Sequence, residues 1–332
     1  MAEQRAFRIH NDDHGYRAGI ETVPTPEPAD GEVLVRVSHS SVNYKDALAG
    51  TGKGKVIKTF PMIGGIDAAG IVEQSRHADY RRGDAVIATG WGLGFDHDGG
   101  YADYLCVPAA WLVPMPEGLD PSSAMLLGTA GFTAALAVHR MLVNGQRPEL
   151  GPILVTGASG GVGSIAVAML AHLGFEVAAV SGKAELHDWL RDLGARQVLA
   201  HDALPGGDRP LEKGVWGGAV DNVGGAMLAR ITRTIVPNGN ITAIGLAGGI
   251  ELDTTVLPFI LRGIGLLGCN SVDVPYPLRT ELWQHLANDW QPPDLERLLS
   301  ATVRLDALPE VFERMLAGRI HGRVLVDIAS QS

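Results

Sequence analysis

The chain has 332 residues, more than one hydrophobic core usually organises, so two domains are expected. Apolar residues make up 46% and charged residues 19%, a globular mixture far from the composition of disordered chains. The formal net charge is -10 and no long Lys/Arg block occurs, which makes general attraction to nucleic-acid backbones unfavourable and leaves any anionic ligand to local groups.

The start, Met1-Ala2-Glu3-Gln4-Arg5, lacks the basic segment followed by an apolar run that marks a secretory signal. A first segment, to about residue 120, mixes alternating runs such as Glu32-Val33-Leu34-Val35-Arg36-Val37 with Gly- and Pro-rich turns and reads as a mainly β domain. From about 125 to about 270 strand-like runs alternate with helical patterns, as in βαβ units around a parallel sheet. Its strand candidates are Ile153-Leu154-Val155, Val177-Ala178-Ala179-Val180, Ala219-Val220, Ile241-Thr242-Ala243-Ile244 and Ile264-Gly265-Leu266-Leu267, apolar throughout as buried parallel strands are. The tail carries helical patterns around Glu281 to Ala287 and Leu308 to Ala317, then a closing strand, Gly322 to Ile328, that needs a sheet to join. An inserted nucleotide domain, with the tail returning to the N-terminal domain, would provide that sheet. No uninterrupted apolar stretch approaches the roughly 20 residues of a membrane span, and only Cys106 and Cys269 occur, far apart. Both features point to a soluble protein of a reducing compartment, the cytoplasm.

The segment Ile153 to Ser164 is a strand and a glycine turn, followed by a small-residue helix from Ile165 to Leu173. Gly157, Gly160 and Gly163 recur at every third position, which permits a tight turn, close backbone approach to a pyrophosphate, and close helix-on-strand packing. The helix N-terminus then offers free N–H groups to the phosphates. The alternative is a glycine turn in an ordinary α/β domain. The second strand ends in Ser181-Gly182-Lys183, where an NAD-binding chain usually carries an acid for the ribose 2′-hydroxyl. A hydroxyl and an ammonium suit a 2′-phosphate instead, which favours NADPH. The alternative reading makes Ser181 a helix cap and Lys183 a solvated charge.

No closely spaced cysteines or converging His/Cys set exists for zinc, and Asp96-His97-Asp98 in a Gly-rich stretch reads as a solvated loop, so no metal is expected.

Five stretches together resemble the zinc-independent quinone-oxidoreductase branch of the medium-chain dehydrogenase/reductase superfamily, and within it the acrylyl-CoA reductase family. They are Ser41 to Asp46, Pro61 to Gly70, Gly128 to Ala134, Val155 to Gly163 and Ala179 to Lys183. The resemblance covers essentially the whole chain. It implies an α/β architecture: a GroES-like, mainly β catalytic domain (1–124 and 271–332) with an inserted Rossmann doubly wound parallel-sheet domain (125–270), a cleft holding NADPH, and a homodimer. It places Gly65-Ile66-Asp67 where zinc enzymes carry Gly-His-Glu. It also implies a cofactor set of Tyr44, Gly157, Ser159, Gly160, Gly161, Val162, Gly163, Ser181, Gly182, Lys183, His201, Leu246, Ile260 and Ser271, with His201 standing where close relatives carry Arg.

Such a site transfers hydride to the β-carbon of an α,β-unsaturated carbonyl or thioester, and the enolate oxygen then needs hydrogen-bond donors. Asn43 and Tyr44 are the candidates, Tyr44 also as cofactor contact and proton donor, with Asp67 ordering the polar cleft. For Asn43 and Asp67 the alternative is a pair that only stabilises a turn; for Tyr44 it is packing without chemistry. Lys45, Lys53, Lys55 and Lys58 cluster in a Gly-containing loop that could hold coenzyme A phosphates or simply be solvated. Expected partners are therefore an acyl-CoA or enone, with no nucleic acid and no membrane. The competing functions are quinone or enone/enal reduction, and an NADPH-binding sensor without turnover.

Overall fold

The computed structural model describes residues 2–329, which form two compact units. The first comprises residues up to 129, 272–287 and from 298 onward. Its main sheet has seven strands, and Glu32–Val42 is the one on which the others are assembled. That strand pairs antiparallel with Asp67–Ser75, with Tyr104–Pro108 and with Arg323–Asp327. Val33, Val35 and Val37 alternate into the main core cluster beside Phe7, Tyr101, Leu112 and Phe312, while Arg36 between them is exposed. The closing strand thus finds its sheet in this unit, since Arg323–Asp327 also runs parallel to Leu299–Val303. A smaller sheet of three strands orders Gly15–Pro24, Glu3–Asp12 and Met62–Ile63.

Residues 44–51, read from sequence as part of a lysine-bearing loop, are instead the helix Tyr44–Thr51, closed by Gly52 in the left-handed conformation. Lys45 is therefore a first-turn helical residue.

The second unit, 130–271 with 288–297, holds a six-stranded, all-parallel sheet. In space the strands run Gln197–Leu199, Val177–Val180, Ile153–Val155, Trp216–Asp221, Ile235–Ala243 and Gly265–Gly268. In chain order this is 3-2-1-4-5-6, the doubly wound dinucleotide-binding order, with its switch point between Ile153–Val155 and Trp216–Asp221. The three innermost runs are buried along their whole length, which explains why they lack a polar alternation. The helix after the glycine turn begins at Gly161, four residues earlier than its apolar run, because Val162-Gly163-Ser164 already lies in its first turn.

The helix Pro121–Val143 is 23 residues long and apolar enough, by length and composition, to cross a membrane. It is not an uninterrupted apolar stretch, since Ser122, Ser123, Thr129, Thr133, His139 and Arg140 lie within it. Most of the helix is buried in the protein and its backbone departs from helical angles at Gly128, as suits a core helix.

Candidate active site

In the first unit Asp67, wholly inaccessible to solvent, is the hub of a buried polar network. Its carboxylate accepts from Ser41 Oγ at 2.5 Å, Asn43 Nδ2 at 2.8 Å and Thr129 Oγ1 at 2.5 Å. The Thr129 backbone N–H adds bonds of 3.1 and 3.0 Å to its two oxygens. Arg323, from the closing strand, stands 4.0 Å away as the counter-charge. Its guanidinium also donates to Ser41 Oγ, Asn43 Oδ1 and the carbonyls of Val42 and Leu126, at 2.8 to 3.3 Å. Leaving a carboxylate buried without such partners would cost several kcal/mol on the order-of-magnitude scale for buried ions; here every oxygen is satisfied. Burial holds the Arg323 pKa below its ordinary value, with the charges of Asp67 and Asp46 acting against that shift.

Gly128 is dictated by this hub. Its φ is +52°, and a Cβ built there would lie 2.5 Å from Asp67 Oδ2 and 2.8 Å from Ser41 Oγ. Any side chain would displace the carboxylate or its donors.

Asn43 caps the helix Tyr44–Thr51 from outside it, and Asp46, three residues on, returns its carboxylate to the Asn43 backbone N–H at 2.8 Å. Asp46 also accepts from Ile66 N at 3.0 Å and from Asn43 Nδ2 at 3.3 Å. The Asn43 side chain is therefore fully committed: its N–H groups go to Asp67 and Asp46, and its oxygen takes Arg323. It has no donor left for a substrate oxygen, so its place is to order the network. Tyr44, next in sequence, differs in every respect. It is 53% exposed, and its hydroxyl makes no hydrogen bond among the described residues.

Asp46 is completely buried, and burial, reinforced by the neighbouring charge of Asp67, pushes its carboxyl up to about 7. Sequence reading passed over Asp46, Ser41, Thr129, Gly128 and Arg323 as site residues; only the S/T/N-x-x-D cap spacing at Asn43 and Asp46 carried a usable signal.

In the second unit the strand Ile153–Val155 runs into Gly157, whose φ is +57°. A Cβ on Gly163 would meet the Gly157 carbonyl and lie 2.8 Å from Ala158 Cα, which is the close helix-on-strand approach the motif requires. Thr156 Oγ1 donates to Asp221 at 2.6 Å and Asn222 Nδ2 to the Thr156 carbonyl at 2.8 Å, so the two strands at the switch point are tied together beside the glycine turn. Ser159 and Ser181 are buried and hydrogen-bonded at 3.3 Å, and the Lys183 backbone N–H donates to Ser181 at 3.2 Å. The His201 ring lies beside Gly182, 3.5 Å from a Cβ built there. Gly157, Ser159, Gly160, Gly161, Val162, Gly163, Ser181, Gly182, Lys183 and His201 thus gather around two neighbouring strand tips. Leu246 and Ile260 are 67% and 71% exposed, and Ser271 closes this unit's main segment.

Among the described residues no three His, Cys, Asp or Glu side chains converge as a metal site. Asp67 already serves hydroxyl, amide and guanidinium donors, and in the Asp96-His97-Asp98 stretch Asp96 pairs with Lys58 at 2.7 Å while Asp98 accepts from Ile63 N at 2.8 Å. Zinc does not fit these donor sets.

Residues 29–117 match the model of the alcohol dehydrogenase GroES-like domain, and residues 161–288 that of the zinc-binding dehydrogenase domain. The chain is 47% identical to the acrylyl-CoA reductase AcuI of Ruegeria pomeroyi over 94% of each chain. It is 45% identical to the putative quinone oxidoreductase YhfP of Bacillus subtilis, over 93% of this chain and 94% of that one. The structure of Escherichia coli YhdH with bound NADPH has a TM-score of 0.92 to this chain at 45% identity, covering 97% of this chain and 99% of the other.

The Asp46 environment makes a pH prediction. Below about pH 4 its carboxyl is neutral in both folded and unfolded chains; from there to about 7 folding takes up a proton, so stability falls as pH rises across that window and is level above it. Asp46→Asn removes this component. Melting temperatures measured from pH 4.5 to 8 should show the variant gaining on the parent as pH rises to about 7, and a constant difference would contradict the assignment.

Proposed function

The chain belongs to the medium-chain dehydrogenase/reductase family, on the branch of the acrylyl-CoA reductases and quinone oxidoreductases, and from this we propose that it is an NADPH-dependent reductase of a short enoyl thioester, acrylyl-CoA to propionyl-CoA. The observation that carries the cofactor half of this reading is the carboxylate-free strand tip at Ser181-Gly182-Lys183, beside the glycine turn of the switch point. Gly157 and the segment Ser159 to Gly163 would hold the pyrophosphate, and Ser181, Gly182, Lys183 and His201 the 2′-phosphate. Leu246, Ile260 and Ser271 complete the set by family position. The substrate half rests on the 47% identity to a named acrylyl-CoA reductase.

When bound, NADPH supplies the hydride that goes to the β-carbon of the unsaturated thioester. The electron pair of the double bond then shifts toward the carbonyl oxygen, where charge accumulates until the α-carbon takes a proton. Among the described residues no three metal-ligating side chains converge and Asn43 is already engaged, so the Tyr44 hydroxyl, which makes no hydrogen bond among those residues, is the donor we assign to that oxygen. Asn43, Asp46 and Asp67 hold the start of the Tyr44 helix in place, so the network acts by positioning. Quinone reduction is the second reading, favoured by the likeness to the Bacillus relative.

We assign a soluble, cytoplasmic protein, since the long apolar helix Pro121–Val143 is mostly buried inside it and Cys106 and Cys269 are free thiols. We also assign a homodimer through the sheet edge Gly265–Gly268, which is terminal in its sheet; Ile250, Val256 and Leu261 elsewhere in the unit are exposed. Light scattering should give twice the chain mass, and Leu267→Lys should shift it to one; a monomeric parent protein would dismiss the assignment.

Oxidation of NADPH followed with acrylyl-CoA, and in parallel with a simple quinone, tests the activity. Turnover on the thioester is expected, reduced at least about tenfold by Tyr44→Phe with little change in NADPH affinity. Lys183→Glu should weaken NADPH much more than NADH. Turnover on quinone alone would replace the thioester reading, and equal losses for both cofactors would remove Lys183 from phosphate recognition.

A further inference from the structure

The first unit holds a cavity of about 420 Å³ that the reduction chemistry leaves unused. Its walls are aromatic: Trp91 and Trp111 lie parallel, 7° apart with centroids 6.1 Å from each other, and Phe95 joins them. Trp91 is held there at a price in backbone strain, since its φ of +53° is unusual for so large a side chain. Buried Arg279 keeps it in place, stacking 4.9 Å from the indole and donating to the carbonyls of Thr89 and Val272 at 2.8 and 2.9 Å. The indole Nε1–H of Trp91 is buried and has no hydrogen-bond partner among the described residues.

The clustered lysines are not equivalent: Lys58 lines this cavity, Lys45 reaches the Phe95 ring in its wall, and Lys53 is not in its lining. Lys53 is paired with Glu313 and Lys58 with Asp96, each at 2.7 Å. Lys45 is half-buried, with its ammonium 4.0 Å from the centre of the Phe95 ring, and among the described residues it has neither an ion pair nor a hydrogen bond from that ammonium. Burial lowers its pKa from the ordinary lysine value, and the charges of Asp46 and Asp273 act to restore it. A half-buried cation with no ion pair among the described residues, a buried N–H donor without a hydrogen-bond partner among them, parallel indoles and the lining carboxylates Asp96 and Asp273 are one set of complements. They fit a planar base with ring acceptors and an exocyclic amine, attached to phosphate.

We infer that this cavity seats the adenosine phosphate end of the coenzyme A thioester, with the base against Trp91 and Trp111 and a phosphate on Lys45. The inference deepens the thioester reading and rests on it. It also separates the lysines that the sequence groups together: Lys45 binds, whereas Lys53 is a surface partner of Glu313.

The probe is adenosine 3′,5′-bisphosphate, titrated calorimetrically into the full chain with NADP⁺ saturating, so that the dinucleotide site cannot answer for the cavity. Saturable binding is expected, weakened on the order of tenfold by Lys45→Met and also by Trp111→Ala, but unchanged by Lys53→Met. In turnover, Lys45→Met should lower kcat/KM for acrylyl-CoA by a similar factor and leave acrylyl-pantetheine, which lacks the nucleotide, unaffected. No bisphosphate binding, or equal effects of Lys45→Met and Lys53→Met, would overturn the subsite. If neither thioester is reduced the activity reading fails, and the calorimetry still decides the subsite.

Discussion

A single buried carboxylate sets the terms for the catalytic unit. Asp67 has no access to solvent, and a charge so placed is tolerable only if hydrogen bonds and an opposite charge surround it. The groups that meet this need come from sequence positions 41, 43, 129 and 323, so the hub ties the central strand, the interruption of the long apolar helix and the closing strand to one point. Gly128 follows from the same constraint, because the carboxylate occupies the space a Cβ would need.

The functional consequence is a division of labour along three consecutive residues. Asn43 is consumed by the network, Tyr44 stands free of it, and Lys45 places its ammonium over the Phe95 ring. In a zinc enzyme a cation would polarise the substrate oxygen directly. Here Asp67 is turned inward to the Arg323 guanidinium, and in the mechanism we propose the polarisation falls to the Tyr44 hydroxyl at the head of a helix. Asp46 buttresses that helix head and, being buried, brings a carboxyl that titrates near neutrality into the same framework.

The nucleotide-binding unit was largely legible in the sequence, because its strands Ile153–Val155 and Val177–Val180 are continuous apolar runs and its glycine turn has fixed spacing. The strand order is consistent with that reading and supplies the switch point that sequence could not locate. In the other unit the pattern carried less. Ser41, Thr129 and Arg323 are polar residues that composition assigns to the surface, yet they are needed inside because Asp67 is there, and Ser41 and Arg323 are 282 positions apart. No local periodicity encodes such a partnership. The helix Tyr44–Thr51 was hidden for a different reason: it is short and followed closely by Gly52 and Gly54, so its lysine-bearing neighbourhood resembles a loop.

The most direct test of the central claim is a double-mutant cycle on unfolding free energy with Asp67→Asn, Arg323→Met and both together. Arg323→Met alone should cost about 3–5 kcal/mol by stranding a buried charge, and the double variant should recover a large part of that, giving a coupling above about 2 kcal/mol. Additive losses would show that Arg323 does not neutralise Asp67, and the account of the site as a charge-compensated hub would be wrong.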